Sequence, residues 1–348
     1  MLRIEYLEET EDVYDITVED NHNFYANNIL VHNCQEITLP TKPLTHPDDP
    51  DGEIALCILS ALNVGRLKSL DEIEGLTDLA VRSLDEIVDL QEYPIPAAEN
   101  STLNRRSLGI GVIGLAHYLA KNKVTYSSPD SIPLVDELME CMQFHLLKAS
   151  NNLAKEKGPC GYFNRTKYSK GILPIDTYKP FLDSICERPL AYDWEELRKD
   201  IVEHGLRNST LSAQMPSESS SVVSNATNGM EPPRALMSQK KSKKGILKQV
   251  VPDFQTLGRY YETAWEMENN TGYMNIMGIA QKYLDQAISS NQYYDYSRFP
   301  DNNIPLSVVV KDILYAYKIG LKTLYYLNTY DGKSDDDDQG CAGGGCSV

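Results

Sequence analysis

The sequence predicts an α/β chain preceded by a short β segment. Three observations carry this. Six stretches place Leu, Ile, Val and Met at i, i+3, i+4 and i+7, the period of a helix with one buried face. Short apolar runs bounded by turn residues lie between them, as buried strands would. The first 33 residues differ from both, with a strand-like alternation and a strong acidic bias.

In chain order, VYDITV (13–18) alternates as a strand should, and NHNFYANNILV (21–31) reads as turn then strand. This piece is too small to fold alone. The run EIALCILSALNV (53–64) is a strand candidate, and LKSLDEIEGLTDLAVRSLDEIVDL (67–90) an amphipathic helix. LGIGVIGLA (108–116) is a second apolar run. Helical patterns follow at 134–158, 193–205, 254–267, 274–289 and 306–329, with TLSAQMPSESSS (210–221) a third short run between them. Gly109, Gly111 and Gly114 satisfy G-x-G-x-x-G, but the preceding NSTLNRRS is polar and no strand. The motif alone is therefore weak evidence for a dinucleotide site. The last stretch, DGKSDDDDQGCAGGGCSV (331–348), is acidic and Gly-rich and reads as a disordered tail. Three units follow: 1–33, 34–329 and 330–348.

The 348 residues carry a net charge of −17, which argues against nucleic acid as a partner. The first 33 residues hold one arginine and eight acids, a net −7, leaving −10 for the rest. The single basic run, KKSKKG (240–245), reads as a solvated loop. No apolar run reaches the roughly 20 residues of a membrane span, and the acidic N-terminus lacks the basic region of a signal peptide. A cytoplasmic protein is expected. Its seven cysteines should then be mostly reduced, and functional rather than stapling.

One heptapeptide, VHNCQEI (31–37), concentrates reactive groups. An Asn side chain can attack its own carbonyl and break the following peptide bond. A neighbouring His can supply the proton, and a Cys beyond the bond can carry an acyl group as a thioester. Asp15, His22 and His32 precede the triplet on a strand–turn–strand pattern. In its order of Asp, His, apolar pair and His-Asn-Cys, the segment resembles the C-terminal part of an intein, a Hint-type all-β fold. The resemblance implies that Asn33 cyclises with help from His32 and His22, that Asp15 supports an earlier acyl transfer, and that Cys34 receives the upstream polypeptide. It also implies a partner chain with an N-terminal intein half, whose docking the −7 patch would steer if that half is basic.

Residues 34–348 resemble the C-terminal part of the large (α) subunit of class I ribonucleotide reductase. The resemblance rests on CQEITLPTKPL, DGEIALCILSALN, YPIPAAENSTLNRRSLGIGVIG, LPIDTYK, LRNSTLSAQMPSESSSVVSNATNGMEPPR, SRFP, KTLYYLNT and CAGGGC. It implies the C-terminal half of a ten-stranded α/β barrel, in which GIGVIG is a tightly packed strand or strand-to-helix segment. By resemblance a thiyl radical forms on Cys34 and takes the ribose 3′ hydrogen, and Glu36 takes the 3′-OH proton. Residues 34 and 36 share a face if the segment is extended. Cys57 is one member of a reducing pair whose partner lies in the N-terminal part. Tyr325 and Tyr326 relay the radical. Cys341 and Cys346, on a mobile arm, re-reduce the site and are themselves reduced by thioredoxin or glutaredoxin. Pro216, Ser217, Glu218, Ser219 and Ser220 line the diphosphate and ribose of a ribonucleoside diphosphate.

The resemblance implies no cofactor or metal held by this chain. It places a di-iron tyrosyl radical in a small (β) subunit and allosteric nucleotides in the N-terminal part, with a homodimer of the joined subunit. Cys141, Cys160 and Cys186 match no such role, and Cys141 falls in a helical apolar pattern that reads as core. The expected activity is therefore trans-splicing at Asn33/Cys34, followed by reduction of ribonucleotides for DNA synthesis. Two alternatives remain at this point: an acidic segment that only docks two reductase halves noncovalently, and a structural remnant without catalysis.

Overall fold

The computed structural model describes residues 23–26, 29–32, 36–242 and 245–330, with backbone alone for 23–32 and 239–248. Its strands are β1 (Asn23–Ala26), β2 (Ile29–His32), β3 (Ile58–Asn63), β4 (Leu108–Ile113), β5 (Met237–Ser242), β6 (Gly245–Val250), β7 (Gln292–Asp295) and β8 (Leu327–Tyr330). Its helices are α1 (Glu72–Leu90), α2 (Pro96–Arg105), α3 (Leu115–Lys121), α4 (Ser131–Lys157), α5 (Trp194–His204), α6 (Glu218–Val223), α7 (Phe254–Leu257), α8 (Thr271–Tyr283) and α9 (Leu306–Lys318).

Five extended segments lie side by side in sequence order, all parallel. β3 pairs with β4 from Ile58↔Leu108 to Asn63↔Ile113. β4 continues to the next segment at Ile110↔Ser212, and that one to the fourth at Gln214↔Ile288. β7, on the fourth segment, pairs with β8 from Gln292↔Leu327 to Asp295↔Tyr330. Each connection between neighbours contains at least one helix, because parallel strands need a crossover. Both faces of β4, which lies inside the arc, are covered, so it reads LGIGVI and is buried throughout. Among the described residues the arc does not close into a barrel.

The central helix is α4. Val135, Leu138, Met139, Met142 and Leu146 are all at most 1% exposed, a stripe at helical spacing that packs on α1 and α8. Burying each such side chain contributes about 1.5–3 kcal/mol. Gly158, at φ +85°, ends the helix after two lysines in its last turn. α1 answers with Ile73, Val81 and Val88, each fully buried. Cys141, on α4, is core as expected, and Cys160 and Cys186 are buried free thiols too.

Glycines let the strands of the arc approach. A Cβ on Gly111 would sit 2.6 Å from the Ala213 carbonyl oxygen and 2.9 Å from Gln214 Oε1. Gln214 in turn clamps β4, accepting from Val112 N at 2.9 Å and donating to Val112 O at 3.1 Å. Gly114 takes φ +81° at the start of α3. The GIGVIG motif is thus a strand-to-helix segment.

Several sequence expectations are corrected. The pattern at 254–267 is helical only over α7 and a 3₁₀ turn at Gly258–Tyr260. Its apolar spacing reflects burial of Tyr261, Ala264 and Met267 from irregular backbone. The pattern at 274–289 stops at Tyr283, and residues beyond Asp285 join the sheet arc. The pattern at 306–329 stops at Lys318, because Gly320 adopts φ +82°. Tyr325 and Tyr326 therefore stand on extended chain entering β8, not on a helix. MPSESSS is not all loop, since Glu218 opens α6. KKSKKG is not a loop either: Lys240 and Lys241 lie on β5 of an antiparallel hairpin with β6. Near the N-terminus β1 and β2 form an antiparallel hairpin, Asn23↔His32 to Ala26↔Ile29, which adds a strand where a turn was expected. Asp15, His22, Asn33, Cys34, Cys341, Cys346 and the 331–348 tail lie outside the described residues, as does the His32 side chain.

Candidate active site

The site assembles on the fourth segment of the arc. Ala287 N donates to the Glu36 carbonyl at 2.7 Å, and Thr38 N donates to Gln286 Oε1 at 2.9 Å. These bonds lay residues 36–38 along the start of that segment. The Glu36 side chain is fully buried. Its Oε2 accepts from Ser289 Oγ at 2.5 Å, which satisfies a group that burial would otherwise penalise by several kcal/mol, on the order of a lost charged hydrogen bond.

Cys57 lies immediately before β3, half-buried. Its Sγ is 3.1 Å, and Ile37 Cδ1 3.2 Å, from the point a Cβ on Gly109 would occupy. Gly109 thus leaves the room in which the thiol and the Glu36 segment meet. Burial pushes the Cys57 thiol far above its ordinary value, and the carboxylates of Asp285 and Glu36 push it further. At neutral pH this sulfur is a protonated thiol, not a thiolate nucleophile. Asp285 is held by Leu211 N at 2.7 Å, Ser212 N at 3.1 Å and the Tyr168 hydroxyl at 2.9 Å. Burial raises its pKa against these donors.

The next two residues of the same segment hold the tyrosine pair. Tyr325 N donates to Ser290 O at 2.8 Å, and Tyr326 N donates to Asn291 Oδ1 at 3.0 Å. The two rings lie with centroids 3.9 Å apart, inclined at 47°. Glu36, Tyr325 and Tyr326 are therefore held by three consecutive residues, Ser289, Ser290 and Asn291.

The MPSESSS loop follows the third segment. Ser217 is buried, its N–H donating to Asn228 Oδ1 at 3.0 Å and its hydroxyl to Met215 O at 3.3 Å. Pro216 and Glu218 are half-buried, and Ser219 and Ser220 are exposed. A narrow cavity lined by Met215, Pro216, Glu231, Tyr273 and Ser289 joins this loop to the Glu36 partner. Glu231 receives the Asn291 amide, the Tyr293 hydroxyl at 3.0 Å and the Asn228 amide at 3.3 Å. Burial still pushes its pKa up to about 7.

Sequence reasoning missed Ser289, Ser290, Asn291, Glu231 and Asp285. Asp285 and Ser289 fall inside the stretch 274–289 that reads as helical, Ser290 and Asn291 follow it as plain polar residues, and Glu231 is an acid before two prolines in MEPPR. Among the sequence-derived candidates, the structure brings Glu36 and Cys57 together and holds Tyr325 and Tyr326 against the segment that also holds Glu36.

A family model described as "ribonucleotide reductase, barrel domain" matches residues 13–327. The chain belongs to the ribonucleotide reductase barrel-domain family. Its barrel-family relatives include the ribonucleoside-diphosphate reductase α subunit of Haemophilus influenzae, 60% identical over 318 residues. The ribonucleoside-diphosphate reductase 1 α subunit of Escherichia coli is 57% identical over 323 residues. Each match covers 90% of this chain but 42% of the relative. The α subunit of Enterobacteria phage T4 is 44% identical over 308 residues, which is 87% of this chain and 40% of the relative. The reductase-barrel chain thus spans about two fifths of the length of the curated relatives it matches. The family match begins at residue 13, so it takes in residues 13–33 of the segment that resembles an intein. No described helix is long and apolar enough to cross a membrane.

Proposed function

We propose that this chain supplies the catalytic C-terminal part of a class I ribonucleoside-diphosphate reductase large subunit, after joining to an N-terminal part carried by another polypeptide. One observation supports this reading most: the consecutive residues Ser289, Ser290 and Asn291 hold Glu36, Tyr325 and Tyr326. A base and a redox-active aromatic pair anchored to one segment suit a reaction that needs both an electron path and a proton acceptor at the substrate.

In this reading the small-subunit radical is passed through Tyr326 and Tyr325 to the Cys34 sulfur. Each step moves one electron and one proton between neighbours. The Cys34 radical takes the ribose 3′ hydrogen atom, and Glu36 accepts the 3′-OH proton. The 2′-OH takes one proton from the thiol pair and leaves as water. Cys57, held as a protonated thiol, and a cysteine of the N-terminal part supply two electrons and two protons in all, the second proton ending on C2′, and become a disulfide. Glu36 then returns the 3′-OH proton, and Cys34 returns the hydrogen atom to C3′ and regains its radical. Cys341 and Cys346 reduce that disulfide by exchange, and thioredoxin or glutaredoxin restores them. Pro216, Ser217, Glu218, Ser219 and Ser220 face the diphosphate and ribose.

The joining step belongs to the N-terminal segment. Asp15 supports the first acyl transfer, Cys34 receives the upstream polypeptide, and Asn33 cyclises with His22 and His32 assisting. The experiment mixes this chain with its N-terminal partner and the radical subunit. It looks for a ligated band, a small released peptide and deoxyribonucleotide formation. Reductase activity without ligation leaves the segment a noncovalent docking module, and ligation without reduction removes the enzymatic reading.

A further inference from the structure

One hydrogen-bond chain crosses the site and centres on Glu231, a residue with no role above. Ser217 N donates to Asn228 Oδ1 at 3.0 Å, and Asn228 Nδ2 donates to Glu231 Oε2 at 3.3 Å. Asn291 Nδ2 donates to Glu231 Oε1, and Asn291 Oδ1 accepts from Tyr326 N at 3.0 Å. Tyr293 OH adds a donor to Oε2 at 3.0 Å. A backbone N–H can only donate and an ionised carboxylate can only accept, so the Asn291 amide has one orientation that satisfies both neighbours.

We propose that Glu231 is a positioning residue for the reductase reaction: through Asn228 and Asn291 it fixes the backbone of Tyr326 relative to the Ser217 loop. The role in turnover rests on the reductase reading; the hydrogen-bond logic does not. Glu231→Gln is nearly isosteric, but it confronts the Asn291 amide with an N–H₂ group once its oxygen is taken by Tyr293 and Asn228. Asn291 can restore that contact only by rotating its amide, and its N–H₂ then faces the Tyr326 N–H, donor against donor. Asn291→Asp in the Glu231→Gln background reverses the polarity. The introduced carboxylate accepts from both the introduced amide and Tyr326 N. A residue that only packed would show no such reciprocal rescue.

The test has two arms, both at about pH 8, where the Glu231 carboxylate is ionised. Hydrogen–deuterium exchange is followed in the peptide holding Tyr325 and Tyr326, on the full chain and independent of activity. Glu231→Gln should speed exchange of that peptide about tenfold, and Glu231→Gln/Asn291→Asp should return it to the wild-type rate. In the joined enzyme with its radical subunit, the single variant should lower kcat about tenfold with KM for the ribonucleoside diphosphate little changed, and the double variant should recover. Wild-type exchange in the single variant, or no recovery in the double, overturns the proposal. Correct exchange behaviour in an assembly whose wild type makes no deoxyribonucleotide removes the reductase reading and leaves Glu231 as the device that fixes Tyr326.

Discussion

Ser289 and Glu36 are 253 residues apart in sequence and meet at 2.5 Å, hydroxyl to carboxylate, in a buried site. This contact fixes the acid that follows Cys34 by two residues against the segment that also holds both tyrosines. Ser289→Ala removes the donor. With a charged hydrogen bond worth about 1.5–3 kcal/mol, turnover of the joined enzyme should fall by about tenfold or more. Steady-state assays should find the loss in kcat, with substrate KM nearly unchanged.

Tyr325 and Tyr326 are held side by side by their backbone anchors at Ser290 and Asn291, so removing one hydroxyl leaves the anchors in place. Tyr325→Phe and Tyr326→Phe should each keep a cooperative thermal transition, with Tm lowered by no more than the few degrees that about 1 kcal/mol produces. Each should also retain substrate binding and abolish turnover. Near-normal deoxyribonucleotide production in either variant rules out the relay role.

The sheet arc rests on small residues where segments touch. Gly111→Ala puts a Cβ 2.6 Å from the Ala213 carbonyl oxygen, a backbone atom that cannot step aside. Overpacking of this kind costs about 1–3 kcal/mol. Gly75, inside α1, has nothing within 4 Å of its would-be Cβ. There alanine should stabilise by about 0.5–1 kcal/mol. Denaturant titration of the two variants should give shifts of opposite sign.

Glu231 couples stability to pH. Its ordinary value is 4.5 and burial pushes it to about 7 in the folded chain. Between those values the native state holds a proton that the unfolded state has released, so this group's contribution is present below about pH 4.5 and is lost as pH rises through about 7. The loss is at most about 3 kcal/mol. Glu231→Gln removes the dependence. The stability difference between about pH 5 and pH 8, measured by urea unfolding, should shrink by that amount.

Much of this architecture was legible beforehand, for physical reasons. α1 and α5 bury one stripe each, so period and helix coincide, and α4 keeps helical spacing in its apolar residues although it is buried nearly all round. LGIGVIGLA holds β4 because both faces of that parallel strand are covered, which removes alternation and leaves a continuous apolar run, whereas EIALCILSALNV holds β3 although most of that strand is only partly covered. The failures share a cause. At 254–267, 284–289 and 319–329, apolar and polar residues recur at helical spacing while the extended Tyr261, the bend at Asp285 and Gly320 at φ +82° divert the backbone. Periodicity reports which residues are buried, not by which backbone. Glu36, Cys57 and the tyrosine pair are singled out only by the family resemblance of the stretches around them. Ser289, Ser290, Asn291 and Glu231 carry no local motif, since their chemistry arises only when segments distant in sequence become neighbours.

The account turns on the sulfur of Cys34, which must first accept a polypeptide and then take hydrogen from a sugar. The most direct measurement is deoxyribonucleotide formation by the assembled Cys34→Ser variant. A serine hydroxyl can still take up an acyl group, so a ligated product should appear, while reduction should be undetectable. Deoxyribonucleotide formation at the wild-type rate in that variant would contradict the account.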